Sequence, residues 1–175
     1  MKNKLSILLI SVIFLFLFLV LFRGLNNNNI YKPNTPINTL LSEFKAQDFF
    51  TNEVVESKDL FLKNEFYLVN IWASWCLPCR EEHMYLIKLQ EQNSLKLIGV
   101  NYKDQKQNAY KFLKELTNPF DKVINDKDGT ISINMGAYGV PETFLLKNKK
   151  IVKKIIGPIN EKTYLEILKK INEKK

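Results

Sequence analysis

Between Leu5 and Phe22 the chain runs for 18 residues without a charge, and only Ser6 and Ser11 interrupt the apolar side chains. A helix rises 1.5 Å per residue, so the run is about 27 Å long, enough to cross a hydrocarbon core with little tilt. Lys2, Lys4 and the amino terminus flank one side and Arg23 the other. That bias predicts a cytoplasmic N-terminus, with everything after Arg23 beyond the membrane. A cleaved signal peptide has an apolar core of about 7–15 residues followed by a small-x-small site. This run is longer and Phe22-Arg23-Gly24-Leu25 offers no such site, so the expectation is an uncleaved anchor. A lipid-modified junction is excluded because no cysteine lies near it.

The pattern changes after the anchor. Asn26 to about Pro36 is polar, with two prolines and no periodicity, and reads as a spacer. Leu40 to Leu62 mixes apolar pairs with polar residues and fits either a short strand or a helical turn. Phe66 to Trp72 is a continuous apolar run of the kind found in strands buried on both faces, and Leu95 to Tyr102 is a second. Between them, Pro78 to Gln92 places Met84, Tyr85, Ile87 and Leu89 among charges, which suits a helix. Lys106 to Leu116 gathers Ala109, Tyr110, Phe112, Leu113 and Leu116 on one helical face and stops before Asn118-Pro119. Thr143 to Leu146 and Ile151 to Ile156 flank Lys147-Asn148-Lys149-Lys150, a hairpin turn. From Asn160 an amphipathic closing helix repeats at Tyr164, Leu165, Ile167, Leu168 and Ile171, with Asn160 as its cap. Strands alternating with helices predict an α/β fold, a mixed sheet covered on both faces. The division is a stub over 1–4, a transmembrane anchor over 5–22, a linker over 23–36 and one domain over 37–175.

Charge first suggests nucleic acid, since 26 Lys and Arg against 18 Asp and Glu give +8. Only Arg23 and Arg80 are arginines, however, and arginine's planar fork is the usual reader of phosphates and base edges. The charge is also uneven. Lys147 to Lys175 carries +7, whereas Gly24 to Leu146 carries −2. The lysine-rich closing helix is expected to be mainly a solvated face, with contact to anionic lipid headgroups the lesser alternative, and nucleic acid is not an expected partner.

The candidate chemistry lies in Trp75-Cys76-Leu77-Pro78-Cys79, where the first buried strand gives way to a helix. A sulfur at a helix N-terminus faces unpaired N–H groups and the positive end of the dipole, which favours thiolate at Cys76. One turn later, Cys79 can reach Cys76 from a deeper position. Cys76 can thus attack a partner disulfide and Cys79 can resolve the mixed disulfide. Pro78 suits the first turn, where its missing N–H has no helical partner. A metal site would need two more ligands, and His83 is the only histidine. A purely structural disulfide closing so short a loop would stabilise little.

Asn70-Ile71-Trp72-Ala73-Ser74-Trp75-Cys76-Leu77-Pro78-Cys79-Arg80 resembles the active-site stretch of the thioredoxin superfamily. Cys79-Arg80-Glu81-Glu82-His83, Gly99 to Asp104, Lys114-Glu115-Leu116 with Asn118-Pro119, and Gly136 to Phe144 resemble the DsbE/CcmG branch, in family order across about residues 66–157. The resemblance implies a thioredoxin-like fold and a thiol:disulfide oxidoreductase with Cys76 and Cys79 as its catalytic, redox-active pair and no other cofactor. It implies a single-pass protein of the cytoplasmic membrane with its domain in the periplasm. The implied task is reducing the haem-attachment disulfide of apocytochrome c, or of another maturation thioredoxin. Electrons would come from a transmembrane thiol carrier, in company with the cytochrome c maturation complex. The alternatives are a scaffold for haem ligation and a general extracytoplasmic thiol reductase or oxidase.

The same resemblance assigns roles. Pro141 matches the cis-proline whose loop lies against the cysteines, and the Val140 backbone matches the position that pairs with an extended substrate. Ordinary thioredoxins carry a buried aspartate where this chain has Asn70. The acid serving Cys79 must then be elsewhere, and Glu82 and Glu142 match the family's acidic positions. Trp72, Trp75 and Tyr138 are expected to wall the pair, with Trp75 touching substrate, and His83 is expected to pack.

Overall fold

A computed structural model describes residues 2–26, 37–63 and 65–173. They form two compact units, an N-terminal helix and a C-terminal domain. The spacer expected over 23–36 lies, from residue 27 on, outside the described residues. Helix α1 (Lys2–Asn26) exposes every described side chain, and it is the one helix among the described residues long and apolar enough to cross a membrane.

The domain is built on one seven-stranded mixed sheet. Its strands are β1 (Lys45–Asp48), β2 (Val54–Glu56), β3 (Phe66–Trp72), β4 (Leu95–Tyr102), β5 (Lys122–Asp126), β6 (Glu142–Lys147) and β7 (Lys150–Ile156), in the spatial order β2-β1-β5-β4-β3-β6-β7. The strands β3, β4 and β5 run parallel, and the remaining pairings are antiparallel. β3 and β4 occupy the two continuous apolar runs and are buried along almost their whole length. Side chains alternate across a strand, so Phe66, Leu68 and Trp72 face one layer while Tyr67, Val69 and Ile71 face the other.

The first layer is covered by α3 (Leu77–Gln90), α4 (Lys106–Leu116) and α6 (Glu161–Asn172), through Leu86 and Leu89, Phe112 and Leu113, and Ile167 and Ile171. The second is covered by α2 (Ser57–Leu60) with Phe61, and by α5 (Thr130–Asn134) with Met135 and Ala137. Asn160 caps α6 through a reciprocal exchange with Thr163, at 3.0 and 2.8 Å. Asn148 and Lys149, both at positive φ, make the tight β6–β7 turn that suits a twisted hairpin.

The stretch from Leu40 to Leu62, expected to hold either a short strand or a helical turn, contains β1, β2 and α2, whereas β5 and α5, after Pro119, have no counterpart in the sequence reading. Gly99 of β4 is required by close packing, because a Cβ there would lie 2.8 Å from the Phe120 ring and 2.9 Å from the Trp72 indole nitrogen.

Candidate active site

The parallel pairing brings the carboxyl ends of β3 and β4 side by side, with Trp72 opposite Asn101. The antiparallel β6 starts at the same end, with Glu142 opposite Ile71. Three loops therefore converge: the one opening α3, the one after β4, and the one before β6.

In the first loop Cys76 is the N-cap of α3 in extended conformation, and its sulfur accepts from the Cys79 N–H at 3.1 Å. A disulfide joins the two cysteines, with their Cα atoms 5.3 Å apart. Both are buried in the apolar cluster that holds Trp72, Phe112 and Phe120. Trp72 stacks with each of those two phenylalanines, at 5.1 and 5.8 Å. Trp75 is the exposed neighbour, and its indole donates to the Lys103 carbonyl at 3.1 Å. Asp104, in the second loop, ties the cysteine loop down. It accepts from the Ser74 N–H and hydroxyl and from the Asn101 amide at 3.0 Å.

The third loop carries a cis Val140–Pro141 bond. Val140 packs against the cluster that contains both cysteines, and Tyr138 is exposed. The buried Glu142 carboxylate braces the loop from beneath, with Oε1 accepting from the N–H groups of Tyr138 and Gly139 at 2.8 and 3.2 Å. Its Oε2 lies 2.7 Å from Lys154 Nζ, and both side chains are closed to solvent.

Glu82 stands in a different setting. Its oxygens accept from the Asn70 amide at 2.8 Å and the Ile159 N–H at 2.7 Å, both neutral donors. Burial pushes its carboxyl up to about 7, against those two hydrogen bonds, which favour the charged form. The resemblance gives Glu82 and Glu142 one duty, yet a cation partners only Glu142 among the contacts described. His83 packs edge-on to Phe112 with Nε2 2.7 Å from the Thr117 carbonyl, and burial lowers its proton affinity.

The structure therefore gathers Trp75, Cys76, Pro78, Cys79, Tyr138, Val140, Pro141 and Glu142 at one end of the sheet, while Glu82, buried in α3, meets Asn70 and Ile159. The sequence reading missed two contributors. Asp104 had a usable signal, as a carboxylate following a buried strand directly. Lys154 had none, being one of ten lysines in a basic tail.

A cysteine pair capping a helix beside a cis-proline loop, on a mixed sheet of this order, defines a thioredoxin-like thiol:disulfide oxidoreductase. Comparison with known proteins is consistent throughout. The Redoxin family model matches residues 41–169. The thiol:disulfide interchange protein DsbE of Pseudomonas aeruginosa is 37% identical over 167 residues, covering 94% of this chain and 92% of that one. DsbE of Haemophilus influenzae is 38% identical over 135 residues, covering 77% of this chain and 71% of its own. A solved structure described as a thiol:disulfide interchange protein DsbE from Chlorobium tepidum shares the fold, with a TM-score of 0.67 at 24% identity over 78% of this chain and 98% of that chain. The chain belongs to the Redoxin family and, within it, to the DsbE thiol:disulfide interchange proteins.

Proposed function

We propose that this protein is a membrane-tethered dithiol that reduces protein disulfides on the periplasmic side of the cytoplasmic membrane. Its substrate is the haem-attachment cysteine pair of apocytochrome c, or a second thioredoxin-like protein holding that pair oxidised. Haem attachment needs free thiols, which an oxidising compartment closes. The observation that carries the reading is the Cys76–Cys79 disulfide at the N-terminus of α3, sharing its cluster with Val140.

The reaction starts from the reduced pair. The Cys76 thiolate attacks one substrate sulfur, forms a mixed disulfide and expels the other sulfur as thiolate. The Cys79 thiolate then attacks the Cys76 sulfur, which breaks the mixed disulfide and leaves the Cys76–Cys79 bond. Two electrons pass to the substrate, whose two thiolates each gain a proton. A membrane thiol carrier restores the dithiol, and no bound cofactor takes part.

The helix N-terminus stabilises the Cys76 thiolate. Glu82, whose carboxyl titrates near neutrality, takes the proton from Cys79 as it attacks and returns one on reset. Pro78 lets the helix begin without a wasted donor. Trp75 and Tyr138 offer exposed apolar surface to the substrate, and the Val140 backbone pairs with its extended chain beside Pro141. Glu142, the second acid that the resemblance assigns to the pair, also holds that loop through the N–H groups of Tyr138 and Gly139. The anchor keeps the domain at the membrane that carries its reductant.

Trapping tests the reading. A Cys79→Ala variant in cells that make cytochrome c should accumulate a mixed disulfide through Cys76 with an apocytochrome, a maturation thioredoxin or a membrane thiol carrier. Recovery of none of them would sink it. A reduction potential close to that of disulfide-forming enzymes would instead favour an oxidant.

A further inference from the structure

Lys154 sits on β7 in a position where a lysine is unusual. Its side chain is 1% exposed, although it belongs to the most basic segment of the chain. Its ammonium meets three parts of one loop. Nζ donates to the Gly136 carbonyl at 2.7 Å, lies 2.7 Å from Glu142 Oε2, and stands 4.1 Å from the centre of the Tyr138 ring.

Those contacts bracket the segment from Gly136 to Glu142, which contains the cis Val140–Pro141 bond. The loop is thus closed at both ends on one cation, while the other oxygen of Glu142 holds Tyr138 and Gly139 from within. A buried ion pair contributes little net stability once desolvation is counted, so stability alone gives it no strong physical rationale. A charge that three loop groups share does, however, fix their relative positions. The Tyr138 ring is held on one face by the ammonium and remains exposed to solvent elsewhere.

We propose that Lys154 is the positioning residue of the peptide-docking loop: by tying Gly136, Tyr138 and Glu142 to one buried cation it holds Val140 and Tyr138 ready for an extended, disulfide-bearing peptide. The proposal rests on the oxidoreductase reading above and adds to it the device that separates protein substrates from small disulfides. A small disulfide needs access to Cys76 only. A peptide needs the loop as well.

The test uses the full chain, reduced, in detergent micelles. Rate constants are measured for a disulfide-closed peptide with the Cys-x-x-Cys-His pattern and for a small aromatic disulfide. Lys154→Met should lower the ratio of peptide to small-disulfide rate about tenfold. Because that variant leaves the Glu142 carboxylate buried without its cation, the charge-neutral Glu142→Gln/Lys154→Met double variant is measured beside it. Its ratio should still fall at least threefold, since the Gly136 carbonyl and the Tyr138 ring still lack the cation that holds them. A ratio in the double variant equal to that of the parent overturns the proposal, because a merely stabilising ion pair would not touch substrate choice. A parent chain inert toward both disulfides overturns the functional reading and the proposal with it.

Discussion

The side-chain amide of Asn70 donates to the Glu82 carboxylate across 2.8 Å, and both side chains are closed to solvent. Asn70 lies on the central strand, where its amide also donates to Thr143 at 2.9 Å. A carboxamide neither gains nor loses a charge near neutral pH, so it cannot serve as acid or base there. The titratable member of this pair is therefore Glu82 on α3, and the strand supplies only its hydrogen-bond partner.

Removing that titration should change how stability depends on pH. The Glu82 carboxyl rises from its ordinary value near 4.5 to about 7 on folding, so between those values the native state holds more proton than the unfolded chain. Stability then falls as pH rises through that window. Glu82→Gln lacks this term. Denaturant unfolding of the oxidised chain, in which the cysteines do not titrate, should show the variant gaining on the parent by as much as about 3 kcal/mol from pH 4.5 to 7.5. Parallel curves would mean that Glu82 titrates as an ordinary carboxylate.

Asn70→Asp would restore an acid to the strand, but opposite an acid already in place. Two carboxylates within hydrogen-bond reach share one proton, and ionising both inside the core is costly. The variant should fold well at pH 5 and lose about 2 kcal/mol or more at pH 7.5. Melting temperatures at the two values decide it, and an equal loss at both would rule out carboxylate repulsion as the cause.

Asp104 fixes the loop that leads into Cys76. Asp104→Ala leaves the Ser74 N–H, the Ser74 hydroxyl and the Asn101 amide without their acceptor. Losing such partners costs about 1–3 kcal/mol, to be read from chemical denaturation. Stopped-flow exchange with a disulfide peptide should slow as well, because the loop carries both Trp75 and Cys76.

Gly99→Ala tests packing behind the site. The new methyl would press on the Phe120 ring and the Trp72 indole, which stack on one another. Overpacking of this kind costs about 1–3 kcal/mol, measurable as a lowered denaturation midpoint. An unchanged midpoint would show that the aromatic stack yields freely.

Local pattern alone sufficed where a segment's environment is uniform. β3, β4 and α4 have the bounds that their apolar runs predict, because a strand buried on both faces must be apolar throughout and an amphipathic helix must repeat its stripe. The cysteine pair was legible for a similar reason, since three-residue spacing at a strand–helix junction is local chemistry. β5 was not legible. Only Val123 and Ile124 in it are apolar, and it is a strand because β4 and β1 pair with it on either side.

The site divides along the same line. Residue identity and spacing determined that Cys76 and Cys79 can pair as a disulfide and that a long apolar helix precedes the domain. Tertiary register decided which acid meets a cation. β7 pairs with β6 through a register shift beside Leu145 and Leu146, so that Ile151 faces one layer and Ile155 the other. A one-residue shift flips every side chain beyond it, and here it turns Lys154 onto the face of Phe144, under the Tyr138 loop. Strict alternation from Ile151 would have sent Lys154 to the opposite face. A lysine from the most basic segment of the chain thus has its side chain buried against Glu142, because strand register is fixed by pairing across the sheet and not by the residues on either side.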